Sequence, residues 1–253
     1  MNTRQHLLVT IVKLVLYYFM YQLGFSAAAM AISYLLIPMD MATMTSLAMV
    51  ASTIVMTWHL THFGYVRITR HMYKEVSLPI LGVSVVFIFA AMYVLNLLIE
   101  QAGIPNTMEE TFLAMSRNPL GILSIALLAP ILEELLFRGA IQGSLQAANT
   151  NPWSAIIISA TIFGVVHMNP AQIPFAFLLG LLFGWLYYRT GSLFPGIVGH
   201  VLNNSVAAVN MLLYGDTPLE EQLASPLSMW LWAAVATAVF CLAAAWLNKN
   251  IKR

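Results

Sequence analysis

The sequence predicts an all-α polytopic membrane helix bundle of about eight transmembrane helices, and three observations carry that prediction. Hydrophobic residues fill 60% of the 253 positions and charged residues only 8%, where a soluble domain carries about 25% charged residues. Apolar stretches of about 20 residues, the length that crosses the hydrocarbon core of a bilayer, recur along the whole chain. The connectors between them are short, with no linker, low-complexity stretch or second domain, so residues 1–253 read as a single integral membrane domain.

The spans fall at about 10–37, 41–61, 79–99, 119–137, 153–169, 171–188, 194–214 and 227–247. The first follows a basic start at Arg4. Ala27-Ala28-Ala29 has the form of a signal cleavage site, but the apolar run continues from Met30 to Ile37, so this is a retained span. Gly139 with Gly143, and Gly180 with Gly184, form small-xxx-small pairs that let helices approach closely. Trp230, Trp232 and Trp246 bracket the last span as an aromatic belt. The single cysteine, Cys241, excludes an intramolecular disulfide and reads as a small packing residue. A net charge of +1 gives no sign of nucleic-acid binding.

Loop charges sort by side. Arg4, Lys13, Arg67, Arg70, Lys74, Arg189, Lys249, Lys252 and Arg253 alternate with the acidic loops of Asp40, of Glu100, Glu109 and Glu110, and of Asp216, Glu220 and Glu221, with Arg117 as the exception. With eight spans the positive-inside rule places both termini in the cytoplasm. His59 and His62, spaced i, i+3, could form half of a metal site and read more simply as interfacial residues beside Trp58, Arg67 and Arg70.

Few polar groups lie inside the spans. The fourth contains Leu127-Leu128-Ala129-Pro130-Ile131-Leu132-Glu133-Glu134-Leu135-Leu136-Phe137-Arg138. A charged side chain at the centre of a membrane helix costs roughly 2.5–3.5 kcal/mol, so three cost on the order of 8–10 kcal/mol before pairing. Glu134 and Arg138, one turn apart, form a natural ion pair. Glu133 lies about 100° around the helix from Glu134 and is left to face other partners: His167 on the fifth segment, with Phe163 one turn behind it, and His200 and Asn204 on one face of the seventh. A carboxylate without a close cation in a low-dielectric site suits a general base, and an imidazole and an amide suit a developing oxyanion. No serine or cysteine nucleophile stands nearby. A rise of 1.5 Å per residue puts Glu133 and His200 nearer the cytoplasmic side and His167 nearer the outer side.

At these residues the chain resembles the CPBP family of CAAX proteases and bacteriocin-processing enzymes, also called the Abi family. Its motifs Glu-Glu-x-x-x-Arg, Phe-x-x-x-His and His-x-x-x-Asn match Glu133-Glu134 to Arg138, Phe163 to His167, and His200 to Asn204, in the family's order. The likeness covers about residues 119–214, and residues 1–118 carry no assignable motif. It implies an intramembrane endopeptidase acting on a membrane-associated or prenyl/CAAX-like protein or peptide. Glu133 and His167 would activate the attacking water, His200 and Asn204 would stabilise the oxyanion, and Glu134, Arg138 and Phe163 would support the site.

Glu133, His167 and His200 could also supply a two-His, one-carboxylate zinc set. No His-Glu-x-x-His helix is present, and the preferred reading is a water-activating site without a required metal. The expected surroundings are membrane lipids and the plasma membrane of a bacterium. Two other functions compete. A transporter or proton relay would use buried Glu and His, but residues 1–118 hold no second Glu-Glu-x-x-x-Arg segment of the kind an internal repeat gives. A non-catalytic binding or immunity protein of the same fold is disfavoured because all four expected catalytic residues are present.

Overall fold

A computed structural model describes residues 3–66, 76–215, 217, 219–223 and 225–251, and among them the secondary structure is helical, without strands. Arg67, Arg70, His71, Lys74, Asp216, Lys252 and Arg253 lie outside the described residues. The helices are α1 (Thr3–Leu35), α2 (Met41–His62), α3 (Leu78–Gln101), α4 (Glu109–Ser116), α5 (Pro119–Ala147), α6 (Pro152–Val165), α7 (Gln172–Thr190), α8 (Phe194–Tyr214), α9 (Leu219–Gln222) and α10 (Pro226–Asn250). Among the described residues, α1, α2, α3, α5, α7, α8 and α10 are long and apolar enough to cross a membrane.

The expected fifth span is shorter than the sequence suggests. Helix α6 has 14 residues, or about 21 Å at 1.5 Å per residue, against a hydrocarbon core of about 30 Å. Its apolar run continues to Met168, but Met168 takes φ +53°, and Asn169 precedes Pro170, which biases it away from helix. His167 therefore lies just past the helix end and not inside a span. The fourth span is longer than expected: α5 runs on to Ala147, which puts Glu133 at its middle.

Helix α5 is the centre of the bundle. Of its most apolar 18-residue window 61% is buried, against 39% or less for every other candidate span. It packs on α2, α6, α7 and α8. It is not α-helical throughout: Leu123–Leu128 and Glu134–Gln142 are wound as π-helix, with hydrogen bonds reaching five residues back. Such wide turns are frequent at functional sites. Pro130 contributes to the first, because it has no N–H to offer a preceding carbonyl.

Helices α6 and α7 form a close antiparallel hairpin. A Cβ on Gly164 would stand 2.8 Å from the Ile173 carbonyl oxygen, one on Gly180 3.1 Å from Ala160 Cα, and one on Gly184 3.1 Å from Ile156 Cγ2. Helix α3 packs on α10 through Phe87 stacked on Phe240 at 4.6 Å and the Tyr93 hydroxyl on the Met229 carbonyl at 3.1 Å. Asp40 caps α2; the Thr43 backbone N–H and hydroxyl donate to its carboxylate and hold it below the usual carboxylate range.

His59 is buried within the protein: its Nδ1 pairs with the Tyr21 hydroxyl at 2.9 Å and its ring stacks on Tyr65 at 5.7 Å, while His62 stacks on Trp58 at 4.7 Å. Cys241 is exposed and not a packing residue. It shares the outer surface of α10 with Trp230, Trp232 and Leu242, as a lipid-facing helix requires.

Candidate active site

The buried charges form a connected cluster at the middle of α5. Arg138 is fully buried and Glu134 nearly so, and the guanidinium Nη1 donates to Glu134 Oε1 at 2.9 Å. Nη2 donates to the Gly180 carbonyl of α7 at 3.2 Å, an oxygen that the small residue leaves accessible. The guanidinium also lies over the Phe163 ring at 4.3 Å and the Phe183 ring at 5.3 Å, where the aromatic quadrupoles favour the cation. The ion pair expected from the i, i+4 spacing is present.

The two glutamates do not separate as expected. His200 joins them: Nδ1 pairs with Glu134 Oε1 at 3.1 Å and Nε2 faces Glu133 Oε2 at 3.5 Å. An imidazole presents nitrogens on two sides, so one ring can meet neighbouring carboxylates on adjacent residues. Phe183 stacks on the ring at 5.0 Å. A Cβ on Gly196, one turn before His200, would approach Glu134 Oε2 to 2.9 Å, so glycine there makes room for the carboxylate. The glutamates and Arg138 carry a formal charge of −1 with His200 neutral and zero with it protonated. Glu133, with 11% of its side chain exposed against 1% for Glu134, is the more accessible carboxylate.

His167 reaches the cluster through Phe163. Its Nδ1 pairs with the Phe163 carbonyl at 2.7 Å, so Nε2 is the nitrogen left to act. The Phe163 ring stands edge-on to both histidines, 4.9 Å from His167 and 5.8 Å from His200. A phenyl ring thus neighbours both imidazoles while carrying Arg138 on its face. Among the described residues no three His, Cys, Asp or Glu side chains are grouped to hold a metal ion. Glu133, His167 and His200 are therefore not assembled as a zinc set: one edge, Glu133 to His200, is near a ligand spacing, and the third member is not.

The Asn204 amide ties α8 to α5. Its Nδ2 donates to the Ile125 carbonyl at 2.9 Å, and its Oδ1 accepts from Asn203 Nδ2 at 2.8 Å. In the π register, where the Ala129 N–H bonds Ser124, the next bond would run from residue 130 to Ile125. Pro130 has no N–H, and Asn204 supplies the missing donor. One of its two amide N–H groups is engaged in this way.

Several contacts were not legible in the sequence: the Gly180 carbonyl, the Gly196 gap, Phe183 on His200, and Tyr18 of α1. Tyr18 lies within electrostatic reach of Glu133 and hydrogen-bonds Gln22. Gly180 had read as a packing residue, and Gly196 and Tyr18 had no motif to mark them.

Residues 116–206 match the family model for type II CAAX prenyl endopeptidases, Rce1-like. The chain is 35% identical over 104 residues to the putative membrane peptidase YdiL of Bacillus subtilis, covering 41% of this chain and 42% of the relative. It is 33% identical over 114 residues to the membrane-embedded CAAX protease MroQ of Staphylococcus aureus, covering 43% and 46%. The likeness thus spans less than half the length of either relative. No solved structure matches the chain. The matched stretch carries Glu133, Glu134, Arg138, Phe163, His167, His200 and Asn204 and leaves out Tyr18. Over residues 116–206 the chain is similar to the Rce1-like, type II CAAX prenyl endopeptidases.

Proposed function

We propose that the protein is an intramembrane endopeptidase in which Glu133 is the general base. The observation that carries this reading is the buried Glu134–His200–Glu133 bridge, with Arg138 neutralising one carboxylate and the other left partly accessible. A charged cluster at the middle of a membrane helix is costly unless it is paired or performs chemistry. Arg138 accounts for Glu134 and leaves Glu133 with a longer contact to His200.

In the proposed reaction Glu133, with His167, takes a proton from a water as its oxygen attacks the scissile carbonyl carbon. The oxyanion of the tetrahedral intermediate is met by N–H donors from His200 and from the second amide hydrogen of Asn204. The proton held at Glu133 then passes to the amide nitrogen, the C–N bond breaks, and a carboxylate and an amine are released. Glu134 fixes the orientation of His200 through Nδ1, and Arg138 fixes Glu134. The substrate is a membrane-associated peptide or protein, with a prenylated CAAX-like C-terminus as one class, in a bacterial plasma membrane.

The test is cleavage of membrane peptides by purified protein in proteoliposomes, followed by mass spectrometry. Wild-type protein is expected to release new peptide termini, and Glu133→Ala and His167→Ala to release none above background. Cleavage by either variant at the wild-type rate overturns the assignment.

A further inference from the structure

We propose that Asn169 is a positioning residue for His167, holding the turn that carries the imidazole against the loop between α3 and α4. Its catalytic consequence rests on the peptidase reading above; the clamp itself does not.

Connecting turns usually lie on the surface, yet Asn169 is fully buried. Both ends of its amide are engaged. Nδ2 donates to Asn106 Oδ1 at 2.8 Å, and Oδ1 accepts from the Thr107 backbone N–H at 3.2 Å and, more weakly, from the Thr107 hydroxyl at 3.5 Å. Asn106 Oδ1 also accepts the Met108 N–H at 3.2 Å, which shapes the loop to receive Asn169. The Asn169 carbonyl accepts the N–H groups of Gln172 and Ile173 at 2.9 and 3.0 Å, so the same residue starts α7.

His167 lies two residues before this clamp. Between them Met168 stands at φ +53°, a left-handed conformation uncommon outside glycine. Such backbone persists where its surroundings over-determine it. On one side the His167 and Met168 N–H groups bond Gly164 and Val165 carbonyls, each at 3.2 Å; on the other Asn169 is bonded to Asn106 and Thr107. With Nδ1 on the Phe163 carbonyl, a shift of this turn changes the direction of Nε2. Asn106 and Thr107 lie outside the family match at 116–206, so the clamp couples a separate part of the chain to the site.

The test uses full-length protein in detergent and the variants Asn169→Ala, Asn106→Ala and Asn106→Asp. Asn106 is exposed, so its replacement tests the clamp even where Asn169→Ala does not fold. Labelling of His167 by diethyl pyrocarbonate, read by mass spectrometry against His200, reports the turn without requiring catalysis. Both alanine variants are expected to raise His167 labelling several-fold. They are expected to lower kcat about tenfold or more with little change in KM, since small misplacements of reacting groups carry such losses. Asn106→Asp keeps the acceptor for Asn169 Nδ2 and the Met108 N–H, and is expected to restore both readouts. Unchanged His167 labelling in Asn106→Ala, or equal damage from Asn106→Asp, overturns the proposal. If labelling follows the expected order while wild-type protein cleaves nothing, the clamp stands and the peptidase reading fails.

Discussion

Replacing Arg138 with methionine tests the electrostatic design of the cluster. The substitution keeps an unbranched side chain and removes the partner of Glu134, its bond to the Gly180 carbonyl, and the cation above Phe163 and Phe183. Glu134 is then buried with His200 as its remaining partner. Removing one member of a buried pair costs about 3–5 kcal/mol because it strands the other charge. At about 2–4 °C per kcal/mol for a chain of this size, the melting temperature should fall by roughly 6–20 °C. The double variant Arg138→Met with Glu134→Gln leaves no stranded carboxylate at that position, so it should lose less than the sum of the two single variants. Thermal unfolding in detergent reads all three. A melting temperature for Arg138→Met within about 2 °C of wild type, well short of the fall expected for a stranded charge, would show that the pair does not carry the burial of Glu134.

Other consequences follow from the same contacts. Asn204→Leu leaves the Ile125 carbonyl without its donor and should cost about 1–3 kcal/mol; in a Pro130→Ala background, which restores a backbone N–H, thermal unfolding should show a smaller loss, and an equal loss would refute the role given to that bond. Gly196→Ala places a Cβ 2.9 Å from Glu134 Oε2 and should cost about 1–3 kcal/mol by overpacking, with a matching fall in kcat as Glu134 pulls on His200. Unaltered stability and turnover would mean that the carboxylate yields freely. Elemental analysis of active purified protein should find no stoichiometric zinc, because among the described residues Glu133, His167 and His200 are not grouped to hold a metal ion; one zinc per chain that is lost with activity on chelation would overturn that reading.

The helices and the polar cluster were legible in the sequence because the bilayer makes both conspicuous. Long apolar runs mark spans, and Glu133, Glu134, Arg138, His167 and His200 stand out against them. The i, i+4 spacing was enough to pair Glu134 with Arg138. It did not show that both glutamates meet one imidazole, which the π-wound turn beginning at Glu134 and the two-sided ring of His200 bring about. The short α6 was hidden by an apolar run through Met168, although Asn169-Pro170 carried the signal for its end. The roles of Gly180 and Gly196 depend on which carbonyl or carboxylate comes to lie beside them, a property of helix pairing that spacing along one helix does not encode. Asn204 is similar: its partner is the carbonyl that Pro130 leaves free, 79 residues away in the chain.

The most direct measurement of the central claim is single-turnover cleavage of a membrane peptide in proteoliposomes by wild-type protein and by Glu133→Gln, with thermal unfolding of both. Glu133→Gln preserves the shape of the side chain and removes its basicity. The account predicts a rate reduced at least about 100-fold, at the low end for loss of a general base, with a melting temperature close to wild type. Cleavage by Glu133→Gln at the wild-type rate would contradict it.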